Sequence, residues 1–156
     1  MDITLLTENL IKIGFAVLIG GVIGAEREFR DKAAGFRTII LITVGSALFT
    51  IFSVSMDPGF TRTRVAANIV TGIGFLGAGA IVREHGRIGG LTTAATIWLA
   101  AALGMGIGAG ELIFVAASTL IVTIVLLVFP RLELWIDRIR ESRTYKIVVS
   151  TTNVDK

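Results

Sequence analysis

Residues 68 to 108, NIVTGIGFLGAGAIVREHGRIGGLTTAATIWLAAALGMGIG, restrict this chain more than any other stretch: two glycine-dense apolar runs are joined by a short charged turn. In water each helical glycine costs about 1 kcal/mol relative to alanine. In lipid no water competes for the backbone, and a helix is one of only two ways to cross. Helices there associate by close approach of small side chains, so glycine becomes an asset. Thr92, Thr96, Ala100, Gly104 and Gly108 recur every fourth residue and form one small stripe, with Trp98 to one side. The first run carries Gly72, Gly74, Gly77 and Gly79 beside Ala78. The expectation is two tightly packed membrane helices.

The apolar residues, 53% of the 156, fall in long blocks with a mean hydropathy of +0.80. That composition belongs to one membrane domain and not to a soluble globule. With no cysteine, disulfides, thiolate metal sites and cysteine catalysis are excluded. The single histidine, His85, argues against a histidine-rich metal centre.

Five spans are predicted: about Thr7 to Ala25, Phe36 to Val54, Val65 to Val82, Leu91 to Gly108 and Leu112 to Phe129. Each is about 18 residues, or about 27 Å of helix. The opening lacks the basic start of a signal peptide, so the first helix is expected to remain attached. Ala16, Gly20 and Gly24 form a second small ladder on it, and Glu8 and Lys12, one turn apart, are expected to pair. Helix five is poor in glycine and suits a lipid-facing position. Twelve Lys and Arg residues fall on one side of this arrangement, against Arg62 and Arg64 on the other. The bases therefore report topology and not nucleic acid: the N-terminus is expected outside and the C-terminus in the cytoplasm.

Residues 7–129 thus form the membrane domain. In 130–156, RLELWIDRIRES after Pro130 reads as an interfacial amphipathic helix, and TYKIVVSTT alternates like the start of a cytoplasmic strand. The stretch from Ile23 to Leu48 parallels that from Leu76 to Leu103, with Gly35, Phe36 and Thr38 matching Gly90, Leu91 and Thr93. That correspondence suggests a parallel repeat of helical hairpins.

The candidate functional residues crowd the cytoplasmic rim. Glu26, Arg27 and Glu28 close helix one, Arg37 and Thr38 open helix two, and Arg83, Glu84 and Arg87 precede Thr92 and Thr93 of helix four. Two helix N-termini flanked by arginines suit a phosphate or a lipid head group. Alternatively Glu26, Glu28 and Glu84 could hold Mg²⁺, a weak candidate metal site, or the whole set could be interfacial charge pairing. Within the bilayer Asn68, Thr71, Thr92, Thr93 and Thr96 are the polar candidates, read first as interhelical hydrogen bonds. A cation path through Asn68 and the glycines of helices three and four is the alternative. No catalytic constellation is present, so no enzyme and no resident cofactor are expected.

Three ordered motifs, GGVIGAERE running into AGFRT, GIGFLGAGAIVRE, and GLTTAATIW, resemble the MgtC/SapB family of bacterial inner-membrane proteins over about Gly20 to Gly110. The resemblance implies five membrane helices with an outside N-terminus and a non-enzymatic regulatory role in adaptation to low magnesium, linked in pathogens to survival in macrophages. It implies partners in the membrane, such as the F-type ATP synthase or P-type magnesium pumps. The site residues it points to are Glu26, Arg27, Gly35, Arg37, Thr38, Gly74, Gly77, Gly79, Arg83, Glu84, Thr92, Thr93 and Trp98. Where pathogen members often carry Asn, this chain has Thr92, and longer members add a cytoplasmic ferredoxin-like domain, within whose first strand this chain is expected to stop. Homo-oligomers are expected because the small stripes exceed what one bundle needs.

Overall fold

The computed structural model describes residues 3–56, 62–84 and 87–140. Five helices account for nearly all of them: α1 (Ile3–Phe29), α2 (Phe36–Met56), α3 (Arg62–Gly79), α4 (Leu91–Ala109) and α5 (Leu112–Arg140). Between α3 and α4 the charged turn is drawn into a two-stranded antiparallel ribbon, β1 (Val82–Glu84) with β2 (Arg87–Gly89), in which Arg83 faces Ile88. The proposed strand at TYKIVVSTT lies outside the described residues. Four helices, α1, α2, α4 and α5, are long and apolar enough to cross a membrane. α3 is the shortest of the five at 18 residues, and Arg62, Arg64, Asn68, Thr71 and its glycines make it less apolar.

α2 is the axis of the bundle, flanked by α1 and α4, with α5 against α1 and α4 and with α3 against α4 and, less closely, α2. Small residues set these distances. A Cβ at Gly20 would lie 2.8 Å from the Ile40 Cα, and one at Gly24 would lie 2.8 Å from the Phe36 carbonyl oxygen. A Cβ at Gly104 would overlap the Thr43 carbonyl oxygen, and one at Gly108 would come within 2.6 Å of Thr50 Cβ. The α1 and α4 ladders therefore both dock on α2, where close approach is the attraction available to helices in lipid. Steps of four along α4 match steps of four along α2 in the same direction, so these helices run parallel. The pairings of α1 with α2 run oppositely. Around these seams the core is Ala16, Ile19, Ile23, Ile39, Ala47, Ile97, Ala100, Leu103, Ile107 and Val115.

α3 departs from expectation. Cβ atoms at Gly72, Gly74 and Gly79 would meet nothing within 4 Å, and only Gly77 touches α4, at 3.8 Å from Ala94. The tight pairs are α1 with α2 and α2 with α4, not α3 with α4. A periodic small stripe says that a face permits close approach; it does not name the neighbour. The two candidate repeat hairpins share direction but not local geometry. Gly90 has φ +85° and its Cβ would overlap the Ala80 carbonyl, whereas Gly35 is not left-handed; Thr93 is buried and Thr38 exposed.

α4 closes with Gly110 at φ +93°, where Gly110 N–H reaches the Ile107 carbonyl at 3.0 Å and Glu111 N–H the Gly106 carbonyl at 2.9 Å. This Schellman closure turns the chain directly into α5. α5 presents Ile113, Phe114, Leu120 and Ile121 outward, as its glycine-poor sequence predicts. It does not end at Phe129: the helix runs through Pro130 to Arg140. Proline removes one backbone donor, a loss helices in membranes tolerate when other groups serve the freed carbonyls. Pro130 leaves the Leu126 carbonyl without its backbone donor; at the neighbouring Leu127 carbonyl Arg131 Nη1 and Arg30 Nη2 donate at 2.9 and 3.3 Å, which ties α1 to α5 beside the proline.

Candidate functional site: a charged rim at the ends of α1 and α2

At the close of α1 the chain buries an ion cluster. Arg27 is 2% exposed and is the largest fully buried side chain; Glu26 is 6% exposed. Arg27 bonds to Glu26 Oε2 through its guanidinium, and Arg30 Nε lies 2.6 Å from Glu26 Oε1. One carboxylate thus holds two guanidiniums, and Arg27 Nη1 has no hydrogen-bond partner among the described residues. Burying this set is costly unless its members stay together, since a lone buried charge is far worse than a paired one.

Glu28, two residues on, points elsewhere. Its Oε2 accepts the Phe36 N–H at 2.9 Å, so the open N-terminus of α2 is already occupied by a carboxylate of the same chain. Gly35 makes room for this, because a Cβ there would overlap Glu28 Oε2. Of the two N-termini offered for an anion, α2 is taken. α4 has Gly90 at its cap and no side-chain hydrogen bond there. The magnesium alternative changes for the same reason: Glu26 is committed to Arg27 and Arg30, and Glu28 to the α2 cap. Among the described residues no acidic or histidine cluster could hold a metal. The side chains of Arg83, Glu84 and Arg87 lie outside the described residues, and their backbones sit in the ribbon.

Beside the cluster a recess of about 710 Å³ opens between the end of α1 and the start of α2, lined by Glu28, Phe29, Lys32, Phe36, Arg37 and Thr38. Lys32, Arg37 and Thr38 are exposed, so the recess is a basic, accessible mouth. Thr38 also borders a second, apolar groove of about 700 Å³ between α2 and α3, into which Asn68 and Gly72 face. The structure thus brings Glu26, Arg27, Glu28, Gly35, Arg37 and Thr38 to one rim and leaves Asn68, Gly74 and Gly79 on a different face. Gly77 sits at the α3–α4 contact, and Trp98 faces outward from α4.

The intramembrane hydroxyls behave differently from the expected interhelical bonds. Thr71 Oγ1 donates to the Ala67 carbonyl at 2.9 Å, Thr96 to that of Thr92 at 2.8 Å, and Thr43 to that of Ile39 at 2.9 Å. A threonine in a helix satisfies its hydroxyl four residues back, within its own helix. Thr92 is exposed and Thr93 buried at the first turn of α4. Nor, among the described residues, does Lys12 pair with Glu8; its Nζ reaches the Gly108 carbonyl at 3.4 Å, a cation on the carbonyl end of α4 where the helix dipole favours it. Arg30 was not singled out from sequence, and Lys12 was read only as a partner of Glu8. Their only signal is a charge inside or bordering an apolar run.

The MgtC family model matches residues 13–135. "Protein MgtC" of Brucella abortus (strain 2308) is 50% identical over 107 residues, 69% of this chain and 45% of that one. "Protein MgtC" of Salmonella typhimurium (strain LT2) is 46% identical over 107 residues, 69% of this chain and 46% of that one. "Putative magnesium transporter YhiD" of Escherichia coli (strain K12) is 44% identical over 133 residues, 80% of this chain and 62% of that one. The chain spans about half the length of the MgtC proteins it matches, and no solved structure matches it. The matched region contains the buried Glu26–Arg27–Arg30 cluster, the Glu28 cap and all three glycine ladders, and on this footing the chain belongs to the MgtC family.

Proposed function

We propose that this protein is a non-enzymatic, multi-pass regulator of the bacterial inner membrane, linked to adaptation to scarce magnesium, and that it works by docking on other membrane machines. The F-type ATP synthase and P-type magnesium pumps are the partners this reading names. Five crossings are part of it: with α2 and α4 parallel, the chain returns between them, and α3 is the only described helix there. The Lys and Arg excess supports an outside N-terminus.

The observation that carries the reading is a closely packed interior beside a basic rim. Backbone-to-backbone seams at Gly20, Gly104 and Gly108 and the buried Ile19, Ile39 and Ile107 fill the middle of the bundle. Thr43, Thr96 and Thr119 spend their hydroxyls within their own helices. Ion pathways use ionisable groups or unwound backbone near the midplane, and the ionic groups here lie toward the two ends of the bundle, the Glu26–Arg27–Arg30 cluster at one and Lys12 at the other. Lys32 and Arg37, exposed around the recess, offer positive charge to a partner's acidic surface. The test is co-isolation from native membranes grown in low magnesium. Wild type is expected to bring down a pump or ATP synthase, and Arg37→Glu to lose it by about tenfold, the scale of a single interfacial charge reversal. Equal recovery with Arg37→Glu, or no partner at all, would count against docking at the rim.

A second reading, a magnesium permease, is favoured by the name of the Escherichia coli relative and by Asn68 in the α2–α3 groove. Protein-dependent, saturable Mg²⁺ flux into liposomes that Asn68→Leu abolishes would establish it over the regulator.

A further inference from the structure

α5 is packed into the bundle only as far as Leu126. Val115, Thr119 and Leu126 are its buried side chains, and every described side chain from Leu127 to Ile139 is exposed except Pro130, which is half-buried. Pro130 stands at the start of that stretch and removes the donor for the Leu126 carbonyl. The backbone is therefore weakest where the packing stops, and a proline is a point at which a helix bends. Packing does not fix the direction of the stretch from Arg131 to Arg140, so a polar contact must.

One side chain from outside α5 reaches this point. Arg30, just past the end of α1, lays Nη2 on the Leu127 carbonyl at 3.3 Å while its Nε stays 2.6 Å from Glu26 Oε1. Arg131 donates to the same carbonyl, but it belongs to α5 and ties that helix to no neighbour. Among the described residues no other hydrogen bond joins α5 beyond Leu126 to the rest of the bundle. A guanidinium carries its donors in one rigid plane, so an arginine anchored at Nε presents Nη2 in a set direction. The anchor is firm, because Glu26 is buried and held in turn by the buried Arg27. Arg30 has a side chain 30% exposed, which makes it the member of the cluster that water reaches. It can let go of Leu127 without stranding a buried charge.

We propose that Arg30 is a strap, a positioning residue that fixes the direction in which α5 leaves the bundle, with Pro130 as the hinge it restrains. Strapped, α5 runs on as one helix to Arg140. Released, the stretch after Pro130 swings about the proline while Val115 to Leu126 stay packed. The buried cluster at the end of α1 thus sets where the end of α5 is presented at the rim, and Glu26 acts on it through Arg30. This inference concerns the exit of α5 and not what docks at Lys32 and Arg37, so either reading can fail without the other.

The chain has no cysteine, so two spin labels can be placed on introduced cysteines and their separation read by pulsed EPR in lipid nanodiscs. One goes to Leu41→Cys, exposed on α2, and the other to Ile139→Cys, exposed near the end of α5. The helix from Pro130 to Ile139 is about 13 Å long, so a bend of about 20° moves Ile139 by about 5 Å. With Arg30 in place one narrow distance is expected. Arg30→Gln is expected to shift or spread it by about 5 Å. Pro130→Ala gives the Leu126 carbonyl its donor back, and the double variant Arg30→Gln with Pro130→Ala is expected to return to the narrow distance. A control pair, Leu41→Cys with Ile113→Cys near the start of α5, is expected to be unmoved by Arg30→Gln. A broad distance with Arg30 in place, no change on Arg30→Gln, no recovery on adding Pro130→Ala, or equal movement of the control pair would each overturn the proposal.

Discussion

Gly35 and Glu28 belong to one small device: the glycine vacates the volume that the carboxylate needs in order to accept the Phe36 N–H. Gly35→Ala should push Glu28 off the N-terminus of α2 and cost about 1 kcal/mol, the value of a helix cap, measured as a shift in unfolding by SDS in mixed micelles. Glu26 is the more consequential side chain. Among the described residues it is the one carboxylate against Arg27 and Arg30, and Glu26→Gln leaves the buried Arg27 charge without its counter-ion. The expected loss is about 3–5 kcal/mol in the same unfolding assay, and a loss below 1 kcal/mol would mean that Arg27 is compensated by another group. The sequence marks Glu26, Arg27 and Glu28 as a group but does not separate their roles. Which carboxylate faces the bundle and which faces the loop depends on where α2 begins relative to the last turn of α1, a tertiary matter.

Helices were legible where their signal is local. The apolar runs and the glycine, proline and charged breaks locate all five, and Gly110 marks the end of α4 through its left-handed conformation. Three things were not legible. The neighbour of each small stripe was one, since Gly104 and Gly72 look alike in sequence although one presses on the Thr43 carbonyl and the other meets nothing. The continuation of α5 through Pro130 was another, because a proline in sequence reads as a stop whereas the helix runs on to Arg140. The third was the hydroxyls, which a residue-type reading assigns to partners across helices and the structure assigns to the preceding turn. The contrast between the two glycines is itself a prediction. Gly104→Leu must separate α2 from α4 and should abolish folding or cost at least about 3 kcal/mol by overpacking, checked by yield of monodisperse protein and by melting; folding like wild type would contradict the α2–α4 seam.

As a whole the molecule is a bundle closed along α2, with a buried ion cluster at one rim and a middle filled by isoleucine, alanine and backbone. That middle decides between a protein that acts through its surfaces and one that passes ions through itself. Ala16, Ala47 and Ala100 are each fully buried in it, and cysteine differs from alanine there by one sulfur in a chain with no other thiol. The direct measurement is labelling of Ala16→Cys, Ala47→Cys and Ala100→Cys by a membrane-impermeant, charged thiol reagent applied from each side of intact and inverted membranes. The account predicts no labelling at any of the three from either side, with full labelling after unfolding in SDS. Labelling of Ala47→Cys and Ala100→Cys in the folded protein would mean a water-filled path through the bundle, and would contradict it.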